Sequence, residues 1–141
     1  MSIFPIKILL ATDGSSEARL AARTAVDLAQ KTDSEVHVIH VFDGALIALL
    51  YPGATDPKGV KLPEPILEED LQRHAREVLD GEVKRLRSAG GTVAQSHLMM
   101  GEAAREIIHP AEDLGSGLVV MGSVSDSVVR HAHCPVLVVR E

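Results

Sequence analysis

The chain has 141 residues, 45% of them apolar, and a formal charge of −6 at pH 7. That length suits one domain around one core. The acid excess and the scatter of Lys and Arg exclude a basic stripe for nucleic acid, and no apolar run approaches the ~20 residues of a membrane span. Phe4, Phe42 and Tyr51 are the aromatic residues, so packing falls to Val, Leu, Ile and Ala, the composition of a sheet covered by helices. A lone Cys134 has no internal disulfide partner, which fits a reducing compartment. Met1 to Lys7 lacks the charged stretch and long apolar run of an export signal, so a cytoplasmic location is expected.

Ile6 to Ala11 is a short apolar run that stops at Thr12-Asp13-Gly14-Ser15-Ser16, a buried strand followed by a turn and a helix cap at Ser15 or Ser16. Ala18, Ala22, Ala25 and Ala29 repeat at helical spacing, with Ala21, Val26 and Leu28 beside them. Val36 to Val41 is a second buried strand. Asp43 to Pro65 is dense in Gly and Pro and reads as a long connection. Its apolar stretch Ala45 to Tyr51 is suited to covering a neighbouring surface.

Leu71, Ala75, Val78, Leu79, Val83 and Leu86 mark an amphipathic helix that ends at Gly90-Gly91. Thr92 to Leu98 is a strand, and Ala103 to Leu114 a helix that Pro110 is expected to kink or cut short. Leu118 to Met121 is another buried strand. A helical stretch around Asp126 to Ala132 and a strand from Val136 to Arg140 complete the chain. Strands and helices alternate, and most strands are continuously apolar. The expected fold is therefore α/β: a single-domain, Rossmann-like, doubly wound parallel sheet with helices on both faces. Ligands of such sheets sit beyond the carboxyl ends of the strands, where the winding direction switches.

Ile8-Leu9-Leu10-Ala11-Thr12-Asp13-Gly14-Ser15, Leu118-Val119-Val120-Met121-Gly122-Ser123 and Cys134-Pro135-Val136-Leu137-Val138-Val139-Arg140, in this order and at this length, resemble the universal stress protein family. The resemblance implies a five-stranded Rossmann-like sheet and a homodimer paired through the last strand, Val136 to Val139. In one branch it implies ATP, with Mg as its companion ion. Carried over position by position, Ala11, Thr12, Asp13 and Val41 would hold the adenosine, and Met121 and Gly122 would lie against the ribose. Asp13 is an acceptor-only carboxylate suited to the amino or hydroxyl donors of a nucleoside. As a helix-entry carboxylate it would instead merely complement the helix dipole.

ATP-binding members of the family continue from Met-Gly into a glycine-rich loop around the phosphates. Here Met121-Gly122-Ser123 runs straight into Val124-Ser125-Asp126. Backbone N–H groups of Ser123, Val124 and Ser125 remain to meet a phosphate, but the cradle is much reduced and Asp126 adds a like charge. Two readings stay open: a loop shortened so that nucleotide binding is weak or lost, or a longer natural chain with further residues between Ser123 and Val124. The little slack after Met121 favours the second.

Other chemistry finds little support. His131, His133 and Cys134 are too close together at a helix-to-strand junction to converge on one ion, and no second cluster supplies further ligands. Cys134 lacks a base and an orienting group. His37 and His40 fall on opposite faces of their strand. Ser15 is a cap and not a nucleophile elbow, and Gly14 alone makes no dinucleotide fingerprint. The expected function is an adenine-nucleotide-binding regulator of the stress response, with no catalytic step of its own. The alternative is a dimeric interaction module that holds no nucleotide because its phosphate loop is incomplete.

Overall fold

The structure is a computed structural model that describes residues 2–42, 64–122 and 126–140. In chain order the elements are β1 (Lys7–Ala11), α1 (Ser16–Thr32), β2 (Glu35–Phe42), α2 (Glu64–Ser88), β3 (Val93–Met100), α3 (Ala103–Leu114), β4 (Leu118–Met121), α4 (Asp126–His131) and β5 (Val136–Val138). The strands form one parallel sheet in the order β3-β2-β1-β4-β5. The doubly wound arrangement expected from the sequence is therefore present.

Alternation along each strand assigns the two layers. Ile8 and Leu10 of β1, Val36 and Val38 of β2 and Val120 of β4 share a core with α1 and α2, through Ala21, Ala25, Leu79, Val83 and Leu86. Leu9, Ile39 and Val119 face the other way, against Ala104, Ile107 and Ala111 of α3 and Val128 of α4. Alanine lets α1 sit close to the sheet, and Ala21 and Ala25 are fully buried. Ser15 caps that helix, accepting from the Ala18 N–H at 3.2 Å.

Four expectations are corrected. The connection read as Asp43 to Pro65 ends earlier, because α2 already begins at Glu64. Pro65 sits in its first turn, where no intrahelical N–H is required. Residues 43–63, with the apolar stretch 45–51, lie outside the described residues. Pro110 does not shorten α3, which runs through it to Leu114 and ends on Gly115 at φ +69°. The lost backbone bond is tolerated because Ile107 and Ala111, on either side, are both buried in the core. At the edges, β3 extends two residues further than read, to Met100, and β5 stops at Val138 short of Arg140.

Candidate functional site

The chain leaves β1 through α1 toward β2 and leaves β4 through α4 toward β5, on opposite sides of the sheet. Two neighbouring parallel strands whose connections diverge leave a crevice at their carboxyl ends. A cleft of about 190 Å³ lies there, lined by Ala11, Thr12, Asp13, Val41, Met121 and Gly122. Those six are the described members of the nine positions carried over from the sequence. The other three, Ser123, Val124 and Ser125, lie outside the described residues. The sequence reading missed four more lining residues, Ala18, Ile39, Ala103 and Ile107. Ala103 and Ile107 belong to the first turns of α3, which follows β3 at the same end of the sheet. Their apolar helical spacing was a signal of burial and not of a ligand wall.

The β1–α1 turn is held by its own side chains. The Thr12 N–H extends the ladder to the Ile39 carbonyl at 2.9 Å. The Gly14 N–H donates to Thr12 Oγ1 at 3.3 Å, and the Ser15 N–H to Asp13 Oδ1 at 2.9 Å. Gly14 has φ +79°, a conformation that favours glycine, and a Cβ there would stand 3.2 Å from Val78 of α2. From β2, buried His40 approaches the Thr12 carbonyl with Nδ1 at 2.7 Å. A carbonyl only accepts, so Nδ1 carries the proton.

Asp13 therefore does two things at once. One oxygen closes the turn, as in the helix-entry reading, while the exposed carboxylate keeps acceptor capacity toward a ligand. The wall from β4 is held by the absence of a side chain. A Cβ on Gly122 would meet the backbone of Glu17 at 2.7 and 2.8 Å and the Ala18 nitrogen at 2.9 Å.

The helix N-termini beside the cleft are each partly capped by a side chain. Ser15 caps α1, and the Glu102 carboxylate accepts from the Ala104 and Arg105 N–H groups of α3 at 3.1 and 3.2 Å. Each end therefore offers a phosphate fewer free N–H groups than an uncapped helix start does. The carboxylates of Glu17, Glu102 and Glu106 in these first turns also oppose one. Among the lining residues only Thr12 and Asp13 carry reactive heteroatoms in their side chains, apart from the Met121 thioether, and no nucleophile–base pair is formed.

The histidines set aside as ligands have other tasks. His131 Nδ1 meets the Ser127 carbonyl at 3.0 Å and His133 Nε2 the Ser116 carbonyl at 2.9 Å, while Cys134 packs 3.7 Å from the Ser116 hydroxyl. His37, buried, stacks on His97 of β3 with ring centroids 6.0 Å apart. Burial, and secondarily the nearby His37, hold the His97 imidazole below the ordinary histidine range.

The sequence pattern of the Universal stress protein family matches residues 6–123 and 117–140. The two stretches overlap over residues 117–123. A universal stress protein of Methanocaldococcus jannaschii is 31% identical, with 96% of this chain and 82% of the relative covered. Its alignment spans 149 positions, more than the 141 residues here, so the relative carries residues without counterparts in this chain. A universal stress family protein of Burkholderia pseudomallei superposes with a TM-score of 0.73 at 28% identity, over 94% of both chains. The universal stress protein of Archaeoglobus fulgidus, solved in complex with dAMP, gives 0.68 at 23% identity over 98% of this chain and 99% of that one. This chain belongs to the universal stress protein family.

Proposed function

We propose that the chain binds an adenine nucleoside or nucleotide in the strand-end cleft and acts as a regulatory binding protein, not as an enzyme. The observation that supports this most directly is that Ala11, Thr12, Asp13, Val41, Met121 and Gly122 line one cleft. At about 190 Å³ it is smaller than the ~300–1,000 Å³ usual for small-molecule sites. The Archaeoglobus relative with bound dAMP is consistent with this reading. Ala11, Thr12, Asp13 and Val41 take the adenosine, and Met121 and Gly122 the ribose. For ATP, the phosphates would fall to Ser123, Val124 and Ser125. Mg would ride on those phosphates and on water, as that ion usually does, since no group of three or more His, Cys, Asp or Glu side chains suited to an ion occurs among the described residues.

Calorimetric titration of adenosine into the wild type and Asp13→Ala tests the assignment. One charge-assisted hydrogen bond is worth roughly 1.5–3 kcal/mol, so the variant should bind at least tenfold more weakly. Equal affinities would reject the cleft.

A second reading, pairing of two copies through Val136 to Val139, draws support from β5. It lies at the edge of the sheet, where unpaired backbone groups can template a partner strand, and Leu137 on it is 38% exposed. Light scattering at tens of micromolar should find a dimer that Val138→Lys weakens, and a monomeric wild type would refute it.

A further inference from the structure

Ala11 and Ile39 are the last paired residues between β1 and β2, and Thr12 lies just beyond the strand end. One backbone bond crosses further, from the Thr12 N–H to the Ile39 carbonyl at 2.9 Å. In a parallel ladder the next rung runs back, from the N–H of Val41 to the carbonyl of Thr12. Val41 is turned the right way for it: Ile39 and Val41 point their backbone groups toward β1, whereas Phe42 points toward β3, where its carbonyl accepts the Gly101 N–H at 3.0 Å. Yet the pairing ends one step short, and no bond from the Val41 N–H to Thr12 closes among the described residues. The Thr12 carbonyl instead accepts from His40 Nδ1 at 2.7 Å.

His40 is 8% exposed, and alternation along β2 sets its side chain on the face of Val36 and Val38. It does not line the cleft, but its neighbour Val41 does. A side-chain donor that stands in for a backbone donor at a strand end leaves the backbone donor over. At the wall of a cleft, such an N–H is a strong donor already released from the sheet, ready for an acceptor atom of a ligand. We infer that His40 is a positioning residue of the cleft: by taking the Thr12 carbonyl it keeps the Val41 N–H out of the ladder and free for a bound ligand. The ligand half rests on the nucleoside reading of the cleft; the backbone half does not.

Amide hydrogen exchange and ring-nitrogen shifts of the full chain read the backbone half. In the wild type the Val41 amide should exchange roughly tenfold or more faster than the paired amide of Ile39, and the His40 ring should carry its proton at Nδ1. His40→Leu frees the carbonyl, so the Val41 N–H should close the rung. Its exchange should then slow, and adenosine affinity, measured by calorimetry, should fall by about three- to tenfold, the worth of one hydrogen bond. His40→Asn, whose side-chain N–H can stand where Nδ1–H stands, should keep both properties near wild type. A merely structural histidine predicts the opposite sign, since lost stability speeds exchange. The proposal is overturned by a wild-type Val41 amide as slow as that of Ile39, by a His40 ring protonated only at Nε2, by faster Val41 exchange in His40→Leu, or by equal adenosine affinity in wild type and His40→Leu. The first two results need no variant to fold. If the backbone results hold while the wild type binds no adenosine, the hold of His40 on Thr12 is supported and the nucleoside reading of the cleft is rejected.

Discussion

The two walls of the strand-end cleft are held by opposite means. On the β1 side, the turn from Thr12 to Ser15 is fixed by polar side chains: Thr12 Oγ1, Asp13 Oδ1 and Ser15 Oγ each accept a backbone N–H, and His40 anchors the Thr12 carbonyl. On the β4 side, Gly122 is fixed by close approach, with the backbone of Glu17 and Ala18 where its side chain would be. Hydrogen bonds at a surface turn are replaceable at small cost to the fold. Steric vacancy inside a packed joint is not. The first wall can therefore be altered to test binding, the second only to test architecture.

Gly122→Ala should have the largest effect. The new methyl group forces α1 and β4 apart, and overpacking of this kind costs about 1–3 kcal/mol, read as a lower denaturant midpoint with an unchanged slope. Stability equal to wild type would break the contrast between the walls.

Asp13→Asn sharpens it from the other side. Asparagine keeps an acceptor for the Ser15 N–H, so stability should fall by no more than about 0.5 kcal/mol. Adenosine affinity should still drop severalfold, because the charge is gone. A stability loss without a binding loss would make Asp13 a helix-entry residue alone.

The smallest effect is expected away from both walls. His97 is held below the histidine range by burial and by His37, so the folded state binds its proton less readily than the unfolded chain does. Stability contributed by neutral His97 is full above the unfolded value near 6.5. It falls as the pH drops from there toward the lowered folded value, since the unfolded state then binds more protons. Urea midpoints between pH 7.5 and pH 5 should show this slope, and it should flatten in His97→Gln while Gly122→Ala keeps it.

Much of this was legible in the chain because single local rules sufficed. The alanine spacing of α1 marks the face that is buried, and Ser15 is the expected cap. The apolar runs of β1, β2 and β4 announced a sheet covered on both sides, and the switch point located the cleft. Pro110 misled because burial of its neighbours outweighs one missing backbone bond, which a local rule does not weigh. Pro65 misled because its cost depends on its position in the helix. Ala103 and Ile107 were invisible as lining residues, since a crossover from β3 brings them to the cleft and their sequence pattern reports only an apolar face. The need for glycine at 122 was likewise hidden, because the clashing atoms belong to Glu17 and Ala18, about a hundred residues away in the chain.

The central claim is that the described walls form a nucleoside site, beside helices α1 and α3 whose first turns are already partly capped by Ser15 and Glu102 and carry acidic side chains. Parallel titrations with adenosine, ADP and ATP into a sample whose intact mass corresponds to these 141 residues test it most directly. Affinities within severalfold of one another are expected, because the phosphates gain few of the charge-assisted bonds worth roughly 1.5–3 kcal/mol each. A preference for ATP of a hundredfold or more in that sample would contradict the account, since the phosphates would then make at least two such bonds that the short stretch from Ser123 to Ser125 is not expected to supply.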